Sequence, residues 1–214
     1  MKLTLLCAAL LSLGAVSASA GVIILTNSTT GNFDGNSGTR DVTVTGSEPG
    51  FGTGTISNVR ISINFAKADG EGFDPPFPTS TPFFNEIHFV LIGPSATPVE
   101  LIATGSWDIG AGQFDGVITF DDAAIDVVNF GAEPVAGTFR PTGAGALADF
   151  NSQNALGTWT LFIEDTAGGD SLRFRSFTLD ISTDGTVIPE PASMALVGLG
   201  LCAAAFIRRR KSRT

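Results

Sequence analysis

The side chains able to do chemistry in this chain are few, and nearly all of them are carboxylates. The 214 residues include one histidine, His88, and two cysteines, Cys7 and Cys202, against 21 Asp and Glu. A Ser-His-Asp or Cys-His arrangement needs an accessible imidazole beside a nucleophile. His88 instead lies between Ile87 and Phe89 in an apolar run and reads as a structural strand histidine. No G-x-S-x-G elbow occurs. Zinc draws on several His or Cys ligands, so a zinc site is excluded. Gly143-Ala144-Gly145-Ala146 lacks a P-loop lysine and reads as a turn. Carboxylates are so numerous that pairing alone does not mark a glycosidase, which needs two of them facing a sugar-sized cleft. Calcium, which takes oxygen ligands from loops, is the one cofactor this inventory suits. Its candidate ligands are Asp121 and Asp122 in one expected loop, and Asp165 and Asp170 in another. No EF-hand or repeat-type calcium motif accompanies them, and no catalytic residue is assigned.

Both ends of the chain read as addresses rather than as fold. Lys2, an apolar stretch from Leu3 to Val16 and Ala18-Ser19-Ala20 form the three parts of a secretory signal peptide, 1–20, with the mature chain starting at Gly21. At the other end, Ala192 to Ile207 is an unbroken small and apolar run. Arg208, Arg209, Arg210, Lys211 and Arg213 follow it. About sixteen helical residues reach roughly 24 Å, short of a ~30 Å hydrocarbon core. Snorkelling arginines make a thin or temporary single transmembrane helix feasible. The basic cluster keeps its end cytoplasmic and leaves the central domain outside.

Between these ends the charge balance is strongly acidic. From Gly21 to Ile188 there are six basic and twenty acidic residues, a formal charge of −14 against −9 for the whole chain. Such a surface repels nucleic acid and anionic headgroups. The same segment contains no cysteine, so it must be held by its core although export permits disulfides. It is long enough to bury most of its unfolded surface.

The elements that would position these groups are strands. Val59, Ile61, Ile63 and Phe65 alternate with Arg60, Ser62 and Asn64, as in a half-buried strand. Ile87–Ile92 is apolar on both faces apart from His88 and reads as a central strand. Gly93-Pro94-Ser95 turns the chain into a strand near Val99–Ile102. Trp159, Leu161 and Ile163 line one face of a later strand, and Phe177, Leu179 and Ile181 that of the last. Trp159, Leu161, Phe177 and Leu179 are the expected structural core. Further strands are expected at 22–25, 41–45, 116–120 and 124–128. Gly, Asp, Asn, Pro and Ser clusters separate them. Residues 67–84, with four prolines, read as a long surface loop, and 31–56, rich in Gly, Thr and Ser, as a looser arm. No fixed-period repeat is found. The reading is an all-β, jelly-roll-like β-sandwich. It comprises N-terminal strands and arm at 21–56, a sandwich at 57–185 and a terminal segment at 186–214.

Two resemblances follow from the motifs. I-H-F-V-L-I-G-P-S-A-T-P-V-E-L at 87–101, F-D-G-V-I-T-F-D-D at 114–122, and G-T-W-T-L-F-I-E-D at 157–165 with a closing F-T-L-D-I resemble the P, or homo B, domain of subtilisin-like proprotein convertases. The resemblance covers roughly residues 55–183 and implies a jelly-roll sandwich. The signal leads almost directly into the module without a subtilisin-like catalytic domain, so the role of stabilising a neighbouring protease is not carried over. Pro189-Glu190-Pro191, the apolar run and the arginine cluster resemble the PEP-CTERM sorting signal of Gram-negative bacteria. That likeness implies recognition by exosortase, a membrane cysteine protease/transpeptidase. The two prolines keep the site extended and unable to continue the helix.

The expected outcome is a non-catalytic module at the cell surface or in extracellular matrix, with extracellular polysaccharide as a partner suggested by the family context. The alternatives are a hydrolase or accessory domain acting on extracellular polymers, and a structural matrix subunit. Processing at the motif predicts that mass spectrometry of the mature protein finds no peptides beyond Pro191. Intact tail peptides on exported protein would count against it.

Overall fold

In the computed structural model the described residues are 21–69, 81–108, 112–128 and 133–185. Ten strands make two sheets. The first has the order β1 (Gly21–Asn27), β10 (Leu172–Thr183), β4 (Ile56–Lys67), β7 (Phe114–Phe120), β8 (Gly137–Phe139), with β2 (Gly31–Phe33) also beside β10. The second has the order β3 (Asn36–Val44), β9 (Gly157–Asp165), β5 (Ile87–Ile92), β6 (Pro98–Ile102). All pairings are antiparallel except β7 with β8. Residues Ala20–Gly185 form one compact unit.

The alternation that makes these strands also makes the core, because every second residue faces the opposite sheet. Val59, Ile61, Ile63 and Phe65 of β4 are fully buried, as are Ile87, Phe89 and Leu91 of β5. The two sheets meet through these faces: the Phe65 and Phe89 rings stand edge to face at 5.3 Å. Trp159, Leu161, Ile163, Phe177, Leu179 and Ile181 are all fully buried in the same cluster. On β10 the register against β4 shifts between Phe174 and Ser176. The extra residue, Arg175, lets Phe174 and Phe177 both face inward although three positions separate them, as a β-bulge allows.

The two motif segments of the sequence pack on each other. Gly157 opens β9 at φ +120°, and a side chain there would meet Cβ of Pro94 at 2.9 Å. Gly93 is equally confined: its missing Cβ would lie 2.8 Å from the Phe150 ring. Phe150 in turn stands edge to face with Trp159 at 4.9 Å, and the Trp159 indole N–H donates to the Ala155 carbonyl at 3.1 Å. Glycine is needed at 157 both for its backbone angle and for this close approach.

Several sequence expectations are corrected. Residues 31–56 are not a loose arm. Gly31–Phe33 pairs with β10 and Asn36–Val44 pairs along its length with β9, so this segment supplies strands to both sheets. No strand forms at 124–128. Only an isolated bridge joins Val127 to Arg140, because Asp121 and the following residues turn the chain. β2 and β8 escaped the reading. Each has three residues, too few to show a period of two. Most of the 67–84 loop, and both the signal and the apolar tail run, lie outside the described residues. Among the described residues no helix is long and apolar enough to cross a membrane.

Truncating the central indole tests this packing. Trp159→Ala is expected to lower the unfolding free energy by about 3–5 kcal/mol, measured by denaturant titration. The exposed Ile24→Thr should stay within about 0.5 kcal/mol.

Candidate functional site

The densest cluster of ionisable groups sits where two apolar strand faces run out. Lys67 is the last residue of β4 and keeps the inward phase of Phe65; Asp165 is the last of β9 and keeps that of Ile163. Both are fully buried. Neighbouring strands place Phe114 and Leu172 beside Lys67, and Ile87 opposite Asp165. Lys67 Nζ donates to Asp165 Oδ2 at 2.7 Å, to the Asp170 carbonyl at 2.6 Å and to Glu86 Oε2 at 3.3 Å. Asp170 Oδ2 is 3.4 Å away and also accepts the Phe83 backbone N–H. Glu86 ends the short 3-10 helix Phe84–Glu86. Asp170 lies in the turn before β10.

Three carboxylates around one ammonium leave a local excess of negative charge in a low-dielectric place. Burial pushes the Asp165 carboxyl up to about 7, with Lys67 pulling down and Glu86 and Asp170 pushing further up. Glu86 is also raised, chiefly by burial, while Lys67 opposes the shift. Asp165 Oδ1 is buried with no hydrogen-bond partner, an arrangement that carries a desolvation penalty as it stands.

A second cluster lies on the outer face of the other sheet. His88 Nδ1 contacts Glu164 Oε2 at 3.0 Å, and Nε2 contacts Glu100 Oε1 at 2.8 Å. Glu164 is the cross-strand partner of His88 on β9, and Glu100 comes from β6 on the other side. Glu100 Oε2 in turn accepts the Ala144 N–H at 2.9 Å. Both ring nitrogens are thus occupied by strand neighbours, and His88 ties three strands together.

The four aspartates expected to hold calcium divide between these local duties. Asp121 Oδ1 accepts the Ala123 N–H at 2.9 Å. Asp122 accepts the N–H groups of Leu147 and Ala148, at 3.2 and 2.7 Å, and so anchors the 3-10 helix Leu147–Phe150. Asp165 and Asp170 do come together, but around the Lys67 ammonium, which stands where a cation ligand shell would form. Among the described residues no group of three or more His, Cys, Asp or Glu is arranged to hold a metal ion. Sequence reasoning missed Lys67 and Glu86. Counting the period-two alternation one step beyond Phe65 and Ile163 would have turned Lys67 and Asp165 inward.

A cleft of about 310 Å³ opens beside the outer strands of the six-stranded sheet. Trp107, Ile118, Val128 and Phe139 line it, and Asp126 and Glu133 supply the acidic groups.

Residues 187–211 match the PEP-CTERM protein-sorting motif. They include Pro189, Glu190 and Pro191, which lie outside the described residues. The motif implies export, sorting to the cell envelope or surface, and processing by an exosortase-type enzyme. No curated protein matches the chain. The module is similar to the Aeromonas sobria serine protease solved with its chaperone ORF2, at 12% identity and a TM-score of 0.42, over 78% of this chain and 28% of that one. It is similar to FlhE at 12% identity and a TM-score of 0.35, over 77% and 96% of the two chains. The A. sobria serine protease solved alone gives 12% identity and a TM-score of 0.33, over 74% and 27%. The chain thus spans under a third of the protease chains it matches. Likenesses this loose say nothing of its activity.

Removing the buried ammonium should be costly. Lys67→Met leaves Asp165 and Asp170 facing each other uncompensated, with an expected loss of about 3–5 kcal/mol in chemical denaturation. A carboxyl raised in the folded state contributes stability below its ordinary value, and that contribution is lost as pH rises through the raised one. The variant's melting temperature should therefore climb as pH falls from about 7 towards 4. A flat profile over that range would contradict the burial of Asp165.

Proposed function

We propose that this chain is an exported, non-catalytic β module, delivered by exosortase-type processing to the cell surface or extracellular matrix, where it serves as an interaction protein. The observation that carries the reading is the sorting motif at 187–211. The duties of the module's ionisable groups support its second half. The histidine is clamped between two glutamates, and the buried acids are gathered on Lys67. The paired sheets fit the jelly-roll, P-domain-like architecture that the G-T-W-T-L block implies. The tail spans the inner membrane only until it is cut, after which the module is free of its anchor.

One observation favours a second reading, an accessory domain or hydrolase acting on extracellular polymers. The cleft beside Trp107 combines an aromatic wall with Asp126 and Glu133, a mixture of apolar lining and a few polar groups common to ligand sites.

The test is fractionation of exosortase-bearing cells that express the chain or its Pro189→Ala/Glu190→Ala/Pro191→Ala variant. The natural chain should appear in the surface or medium fraction without its tail, and the variant in the inner membrane with the tail intact. Equal release of both with intact tails would overturn the sorting half of the proposal. Incubation of the released module with cell-surface polysaccharide separates the two readings. Retention without new reducing ends supports an interaction role. Accumulating reducing ends would establish the hydrolase.

A further inference from the structure

The Lys67 cluster has a geometry that goes beyond an ion pair. We propose that Lys67 and Asp165 close into an intramolecular isopeptide bond, an amide between the two side chains that joins the two sheets covalently.

Three features of the site carry this. The first is contact: Nζ lies 2.7 Å from Asp165 Oδ2, with both side chains fully buried on strands that fix them from either sheet. A nucleophile and an electrophile held at that range by a rigid scaffold need no further search for one another. The second is dryness. The pair lies among Phe114, Leu172 and Ile87 with both side chains fully buried, so hydrolysis of the amide has no ready access. The third is an acid in place. Glu86 Oε2 accepts from Nζ at 3.3 Å while Asp165 Oδ2 accepts from the same Nζ at 2.7 Å. Glu86 thus shares the ammonium with Asp165 and can take protons from the nitrogen and return them as the bond forms.

The step balances without any co-reactant. The ammonium passes one proton by way of Glu86 to the Asp165 carboxylate, giving a neutral amine and a carboxylic acid. The Nζ lone pair attacks Cγ, and the Nζ–Cγ bond forms. Glu86 takes the second amine proton and delivers it to one carboxyl oxygen, which departs as water as its C–O bond breaks. The other oxygen becomes the amide carbonyl, and Glu86 ends as it began. Ammonium and carboxylate become amide and water, with no change of oxidation state. Burial favours the neutral reactants, since Asp165 is held up to about 7 and so reaches its acid form near neutral pH. The product also removes the existing defect: two buried formal charges disappear, and the oxygen that has no partner need no longer be a carboxylate oxygen.

The choice of Asp165 over Asp170 follows from the same contacts. Asp170 Oδ2 is farther from Nζ, at 3.4 Å, and is held by the Phe83 N–H. Its role is to hold the amine through its backbone carbonyl, 2.6 Å away. The link would close a loop across 98 positions of a segment that contains no cysteine.

The experiment is intact-mass and peptide mass spectrometry of the full chain purified in folded form, beside Lys67→Met and Glu86→Gln. The natural chain should be lighter than its sequence requires, after its termini are assigned, by one water. Its digest should contain a branched peptide joined at Lys67 and Asp165. Glu86→Gln keeps the shape of the site but not the proton relay, and should fold with Lys67 unlinked or linked at least tenfold more slowly. Lys67→Met should show its full sequence mass. If that variant fails to fold, the natural chain and Glu86→Gln still decide. Folded natural chain at full mass with a linear Lys67 peptide would overturn the proposal, as would a branch that maps to Asp170.

Discussion

Two sheets that touch through aliphatic and aromatic side chains are held strongly but not specifically, because dispersion and water exclusion are largely indifferent to small slides of one face over the other. The directional contact in this module is at one end, where Lys67 of one sheet meets Asp165 of the other. Taking an ammonium and a carboxylate out of water carries a penalty of several kcal/mol per ion. That penalty is offset only when distances and partners are right, which is a demand on the register of β4 and β9. The rest of the end follows from that demand. The 3-10 helix must present Glu86, and the turn before β10 must present the Asp170 carbonyl.

This arrangement stands where a disulfide would in many exported domains. With no thiol between Gly21 and Ile188, nothing in the module depends on the redox state of its surroundings. Its stability rests instead on one continuous core that draws on both sheets. The N-terminal strands belong to that core as edges. Ile23 is fully buried on β1, and Val44 nearly so on β3, whereas the outward Ile24 is two-thirds exposed. Truncation through residues 21–44 would thus strip an edge from each sheet rather than trim an appendage.

Strands long enough to repeat their alternation were legible in the sequence. β4, β5, β9 and β10 each show at least three inward apolar residues in phase, and each lies where the pattern put it. Short strands were not legible. β8 takes its place from a parallel pairing with β7, a tertiary choice that three residues cannot announce. The strand expected at 124–128 failed for the complementary reason. Apolar residues are present there, but Ile125 is 90% exposed and no neighbour accepts the segment as a strand. The site was hidden by convention as much as by distance. A lysine at the start of a proline-rich stretch and an aspartate at the end of a strand both look like solvated termini. Their burial comes from continuing a two-residue rhythm past the last hydrophobic residue, and from a fold that closes 98 positions of chain to bring them together.

The placement of the cations also limits what the surface can meet. Beyond Lys67, Arg40 directs its guanidinium to the carbonyls of Thr29, Thr30 and Thr39 and lies over the Phe33 and Phe174 rings. Arg175 pairs with Asp115, and Arg140 donates to the Ile125 carbonyl. Positive charge is thus largely turned to the module's own backbone and carboxylates, while most acids face water. A surface of that kind repels a uronate- or sulfate-rich polymer at low salt. It leaves neutral sugars, or anionic ones bridged by divalent cations, as the matrix chemistry compatible with an interaction role. Stacking on an apolar wall is how a neutral sugar face is held without opposite charge, and the cleft lined by Ile118, Val127, Val135 and Phe139 above the buried Trp107 is the surface with that character.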